Sequence, residues 1–308
     1  MSIPLQTALQ KYKVGDFEGV VRDHGSAANN NTLVEQNLLV VLAQSFLKLG
    51  NMREAADSYR RAGLARGQNN LAYLLIAGNL YMRLSMIGEA HAVASRAWAL
   101  APNDPAVLQL YYRALRETCL FDDMERENAL LLSRLQKGDP SARAGDDPFS
   151  HIAWCADEAI NATILPASII RPVTKSMQAK RRARPHAWGD KLRIGYLSDD
   201  YYDTHPTMTL FQGVMQAHDR DRFEITHFCF TSQANIAKDS GRRATYAGLV
   251  PVGHLNDTDA AAVIRSHGID ILVDLKGHTQ GCRPNLINLG LAPVQAAFLG
   301  FPGSANGI

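Results

Sequence analysis

The chain has 308 residues, of which 46% are hydrophobic and 20% charged, which is enough for two domains with separate cores. A net charge of +2 gives no support to a nucleic-acid or polyanion partner. The four cysteines (Cys119, Cys155, Cys229, Cys282) show no CxxC spacing, so neither a zinc site nor a disulfide framework is indicated, and a reducing cytoplasm fits best.

The start, MSIPLQTALQKYKVGDFEGV, lacks a basic region followed by an unbroken apolar stretch, so no signal peptide is expected. The most apolar helical window begins at Leu71 and is broken by Asn79 and Arg83. It is too short and too polar to span a bilayer, and no membrane partner is expected.

The first half repeats itself. Gly50 and Ser85 lie 35 residues apart, as do Phe46 and Tyr81, Ala55 and Ala90, and Ala62 and Ala97. An earlier copy places Gly15 another 35 residues upstream, and a weaker one runs through LYYRALRETCLFDDMERENALLL. Each unit reads as an apolar helix, a tight turn at a small residue, and a second helix whose alanines allow close packing. Pro102 and Pro105 fall between units, where proline stops one helix and begins the next. The pattern resembles the tetratricopeptide repeat over residues 1–135, and stacked repeats of this kind offer a concave face to an extended peptide or another protein.

Residues 136–148, rich in Gly, Pro and Asp, read as a loop, and 136–190 as a linker with one or two connecting helices interrupted at Pro166 and Pro172. The basic run Lys175, Lys180, Arg181, Arg182 and Arg184 reads as solvated linker rather than a binding patch. From Lys191 strands alternate with helices: KLRIGYLS, a helix from Thr207, FEITHFCF, LVPVGHL, a helix capped by Asp257 or Thr258, DILVDLKG and VQAAFLGF. Strands apolar on both faces predict a parallel sheet covered on both sides over 191–308.

No GxGxxG, Walker A, GxSxG or HExxH motif occurs, so the chemistry must be sought in the strand-end loops. Asp199, Asp200 and Asp203 read as helix-capping, solvated residues rather than a cation site. His205 precedes Pro206, which holds its backbone extended after the first strand. His278 lies in KGHTQGCRP, where Gly277 and Gly281 permit close turns and Thr279, Gln280 and Arg283 add donors suited to a sugar or phosphate. Asp274, a carboxylate in the apolar run ILVDL, is costly unless paired, and reads as the buried partner of a histidine or arginine.

Together RIGYLS…HPT, HDRDRFEI, DILVDLKGHTQGCRP and LAPVQAAFLGFPGS, behind a repeat array, resemble the amino-terminal lobe of the O-linked N-acetylglucosamine transferase and SPINDLY-like glycosyltransferases. The loop between Ser198 and His205 is about a residue longer than in the family pattern. The resemblance implies a GT-B fold of two Rossmann-like lobes, with inverting, metal-independent transfer of a sugar from a nucleotide, UDP-N-acetylglucosamine foremost, to a Ser or Thr hydroxyl. No cofactor is implied. His205 would serve as acid/base or acceptor-positioning group, and His278, Thr279, Arg283, Pro302 and Gly303 would border acceptor and sugar. The second lobe, which in the family holds most of the nucleotide, is expected outside this chain, and residues 1–308 alone are expected not to turn over. The rival readings are a non-catalytic repeat module with a remnant lobe, and a cleft completed by a separate chain.

Overall fold

In the computed structural model, which describes residues 2–29, 35–65, 70–164, 171, 173–303 and 305, the chain divides into two compact units, Met1–Asp146 and Asp147–Ile308. The first is built of helical hairpins: α1 (Ile3–Lys13) with α2 (Phe17–Asn29), α3 (Gln36–Lys48) with α4 (Met52–Gly63), α5 (Leu71–Arg83) with α6 (Ile87–Leu100), and α7 (Pro105–Glu117) with α8 (Phe121–Gln136). Each hairpin turns on one residue in the left-handed region: Gly15 (φ 81°), Gly50 (φ 80°), Ser85 (φ 56°) and Cys119 (φ 56°). At the first three turns the next amide reaches back to the last helical turn: Asp16 N to Lys11 O at 3.0 Å, Asn51 N to Phe46 O at 2.9 Å, and Met86 N to Tyr81 O at 2.9 Å. These bonds satisfy carbonyls that a helix end would otherwise leave open. Ala55, Ala62, Ala90 and Ala97 are fully buried where helices meet, so the repeated small positions of the sequence are helix contacts.

The segment read as a loop after Gln136 instead carries a short helix, α9 (Pro140–Ala144), capped by Asp139. Behind it Asp146, 1% exposed, accepts a bidentate pair of hydrogen bonds from Arg116 at 2.7 and 3.0 Å, and closes the helical unit.

The second unit begins with α10 (Pro148–His151), α11 (Glu158–Asn161) and α12 (Lys175–Arg182), where one or two helices were expected. Pro166 and Pro172, read as interruptions, lie outside the described residues. The basic run is therefore largely helical, and Arg181 is half-buried rather than a solvated linker residue.

There follow β1 (Leu192–Ser198), α13 (Pro206–Ala217), β2 (Phe223–Cys229), α14 (Gln233–Ile236), a 3-10 turn (Arg242–Thr245), β3 (Leu249–Pro251), α15 (Asp257–Ser266), β4 (Ile271–Asp274), α16 (Pro284–Ile287) and β5 (Val294–Ala297). The strands form one parallel sheet in the order β3-β2-β1-β4-β5. Ile194 and Tyr196 of β1 join Met208 and Phe211 of α13 on one face, while Leu197 joins Ala260, Ala261 and Ile264 of α15 on the other. This doubly covered sheet follows from strands that are apolar on both faces. Asn256, not Asp257 or Thr258, caps α15, its side chain accepting from Asp259 N. Asn caps as well as Asp, and the helix begins one residue earlier than the charge pattern suggests.

The observed fold class is the expected one: a helical-repeat solenoid followed by one Rossmann-like lobe. Among the described residues no helix is long and apolar enough to cross a membrane, and the four cysteines are free thiols.

Candidate active site

The strand order reverses direction between β1 and β4, and in open parallel sheets such a switch point leaves a crevice beyond the carboxyl ends of the strands. Three loops meet there: 199–205 after β1, 275–283 after β4, and 298–303 after β5. Glycines permit the approach. A Cβ on Gly281 would stand 2.1 Å from Asp199 Oδ2, one on Gly277 2.4 Å from Phe301 Cβ, and one on Gly300 1.9 Å from Leu275 O. Gly277 and Gly281 also take positive φ (54° and 86°), which side chains rarely adopt.

At the centre is Lys276, 4% exposed, with Nζ 2.7 Å from both Asp199 Oδ1 and Asp200 Oδ1. Burial opposes its charge, but the two carboxylates outweigh it and hold the ammonium above its ordinary pKa. Asp199 is pushed up by burial and by its neighbour Asp200, against the pull of Lys276. The expectation of solvated, helix-capping aspartates is thus corrected. Asp200 is buried in the ion pair, Asp203 accepts from Ser240 N at 3.1 Å, and α13 is entered at His205 without a side-chain cap. Across the sheet a lysine just past the end of β4 was available to both carboxylates, and its pairing with Asp200 spans 76 residues, which spacing does not disclose.

His205 lies beside this triad, with Nε2 3.4 Å from Asp200 Oδ1 and Nδ1 buried without a hydrogen-bond partner. Burial, reinforced by the Lys276 charge and offset by Asp199, lowers its pKa. The imidazole is neutral at physiological pH and can accept a proton.

Asp274 is not the partner of a histidine or arginine. It accepts the backbone amides of Lys276 (3.0 Å) and Gly277 (3.0 Å), shaping the turn that aims Lys276. Its burial raises the pKa to about 6 despite those two bonds. His278 stacks edge-on against Phe301 with centroids 5.0 Å apart, which joins the β4 and β5 loops. Thr279 turns its hydroxyl inward to Lys276 O at 2.9 Å, and Pro302 is exposed beside half-buried Gly303.

Arg283 is not among the crevice groups. Its guanidinium donates to Asp257 Oδ1 (2.7 and 3.0 Å), Val252 O (3.0 Å) and Leu255 O (3.0 Å), bracing the β3–α15 connection. With four bonds to the scaffold it is a structural residue, and the expectation that it contacts substrate is corrected. Lys276, which the sequence reading passed over, and Asp200, read there as a solvated cap, stand beside His205 and Thr279.

A five-stranded parallel lobe with polar groups gathered at its switch point defines a Rossmann-like, ligand-binding architecture. Residues 168–307 match the model of glycosyl transferase family 41. The UDP-N-acetylglucosamine–peptide N-acetylglucosaminyltransferase of Caenorhabditis elegans is 34% identical over 121 residues, 38% of this chain and 10% of that protein. The probable UDP-N-acetylglucosamine–peptide N-acetylglucosaminyltransferase SEC of Arabidopsis thaliana is 31% identical over 118 residues (38% and 12%), and the SPINDLY protein of Petunia hybrida 25% over 119 (38% and 13%). A point mutant of Thermobaculum terrenum O-GlcNAc transferase shares the fold at a TM-score of 0.52 and 23% identity, over 86% of this chain and 50% of that one. Over residues 168–307, a little under half of its length, the chain is similar to glycosyl transferase family 41 and to relatives of the O-GlcNAc transferase and SPINDLY kind. It spans about a tenth of the length of these curated relatives, and half of the solved chain.

Proposed function

We propose that this chain supplies the acceptor-side wall of a protein O-glycosyltransferase site. A Ser or Thr hydroxyl of a peptide attacks the anomeric carbon of UDP-N-acetylglucosamine. The new bond forms opposite the leaving group, the carbon–phosphate-oxygen bond breaks, and its electron pair leaves with UDP, inverting the centre. The hydroxyl proton passes to His205, whose half-buried, neutral imidazole beside the Lys276–Asp200 pair is the observation that carries this reading. Neither a metal nor a cofactor takes part in this scheme, and the nucleotide sugar is substrate. The repeat unit presents its concave face to the acceptor protein.

The Lys276 ammonium is already matched by Asp199 and Asp200, so it lends little to a departing diphosphate. Groups that stabilise that charge must come from outside the described crevice, and residues 1–308 alone should transfer sugar slowly or not at all.

The test is transfer of radiolabelled N-acetylglucosamine to a Ser/Thr peptide by the protein as its gene encodes it. His205→Ala should lower kcat about a hundredfold or more with the circular dichroism spectrum unchanged. The wild-type rate should fall on the acid side only below the ordinary imidazole range, because the His205 pKa is lowered. An unaltered kcat in the variant removes His205 from proton transfer, and peptide binding without any transfer would favour a non-catalytic module.

A further inference from the structure

The crevice uses the carboxyl ends of the strands. At their amino ends lies a second cavity, of about 710 Å³, that the proposed reaction leaves unused. It is bordered by Gly268 and Ile269, just before β4, and by Leu291, Ala292 and Pro293, just before β5. Among the described residues five arginines line it (Arg171, Arg181, Arg182, Arg184 and Arg265) and no Asp or Glu does. Asp270, the nearest carboxylate in sequence, is fully buried and spent. Its oxygens take Arg193 N at 2.7 Å, Arg193 Nη2 at 2.9 Å and His186 Nε2 at 2.5 Å.

Three of the arginines, Arg181, Arg184 and Arg265, are held rather than loose. Arg265 donates Nε to Gly290 O at 3.1 Å and Nη2 to Leu289 O at 2.6 Å, and Arg184 Nη1 donates to Gly290 O. The stem of Arg181 crosses Gly290, where a Cβ would come within 2.5 Å of Arg181 Cγ. Carbonyls satisfy hydrogen bonds but do not neutralise charge. Burial and the Arg184 charge lower the pKa of both Arg181 and Arg265, as expected of like charges held together. Such crowding costs stability, and an anion would relieve it. Trp188, 57% exposed and edge-on to His186 at 4.9 Å, gives the rim an accessible aromatic face.

We propose that this cavity binds a phosphoryl anion, a phosphate-bearing small molecule of up to about nucleotide size, on Arg182, Arg184 and Arg265. Planar guanidinium forks match phosphate oxygens in pairs, and a cavity of this volume lies within the usual ligand range of about 300–1,000 Å³. The modest net charge of +2 is no objection, since the clustering of charge, not its sum, sets a local field.

Isothermal titration of the full chain with inorganic pyrophosphate at low ionic strength, and with chloride matched for ionic strength, tests this. Pyrophosphate should bind with one site per chain and raise the melting temperature, while chloride should not. Arg182→Glu, at an exposed position on α12, should weaken binding at least about tenfold, the equivalent of one lost charge-assisted hydrogen bond. His205→Ala should leave pyrophosphate binding unchanged, which separates this site from the crevice. The proposal is overturned by no binding at millimolar pyrophosphate, by undiminished binding in Arg182→Glu, or by loss of binding in His205→Ala. It is equally overturned if an oligoglutamate peptide binds and pyrophosphate does not, which would make the cavity a protein-docking surface.

Discussion

Lys276 illustrates how far single residues can be read from sequence. It stood inside the motif DLKGHT, yet attention falls naturally on the histidine, because an imidazole is the usual proton carrier and a strand-end lysine is ordinarily solvated. Only the sheet order brings β4 beside β1 and makes Lys276 the counter-ion of Asp199 and Asp200. Arg283 fails in the opposite way. Glycine-rich surroundings suggested a ligand contact, whereas the loop folds back and the guanidinium is consumed by Asp257 and two carbonyls.

Asp270 gives a prediction at the same scale. Burial alone would raise its pKa, but Arg193 and His186 overcome that and bring it to about 2. A depressed carboxylate stabilises the fold above its unfolded pKa, and that stability is lost as pH falls from about 4 through about 2. The contribution at neutral pH is about 2 kcal/mol. Asp270→Asn should therefore lower the urea midpoint at about pH 6, with the deficit shrinking at about pH 3. An equal deficit at both pH values would show that charge is not what Asp270 contributes.

At the scale of elements, the hairpin turns and the strands were legible because each is specified locally: small residues at one period, apolar runs ended by Gly, Asp or Pro. Strand order, cap identity and the helix after Gln136 were not, since they depend on contacts far along the chain or on a one-residue choice between Asn256 and Asp257. The four turns also differ in a testable way. Gly15 and Gly50 take positive φ without penalty, but Ser85 and Cys119 take it with a Cβ present. Ser85→Gly and Cys119→Gly should each stabilise the repeat unit by about 0.5–1 kcal/mol, and Gly50→Ala should destabilise it by about as much. Thermal melts of the full chain followed at 222 nm (the helical band) would decide it. Destabilisation by either Gly variant would mean the side chain contributes more than its strained backbone costs.

At the scale of the molecule, each unit has a core of its own: Leu42, Leu74, Leu108 and Leu115 are fully buried in the helical unit, and Leu197, Phe211, Phe228 and Ile264 in the sheet unit. Residues 147–308 expressed alone should therefore fold cooperatively, with dispersed amide resonances and a single melting transition. A collapsed spectrum without dispersion would show that the sheet unit depends on the helices. The change of texture near Lys191 marks where the strands begin. The structural break falls earlier, after Asp146, because the short α10–α12 segments belong with the sheet rather than the repeats.

The hairpins that open the chain carry a last consequence. Their geometry is written largely in main-chain bonds and in buried alanines, so residues on the outer faces are free of any duty to hold the turns. Evolution can therefore rewrite what that half of the protein recognises, one exposed side chain at a time, while the scaffold stays indifferent to the edits.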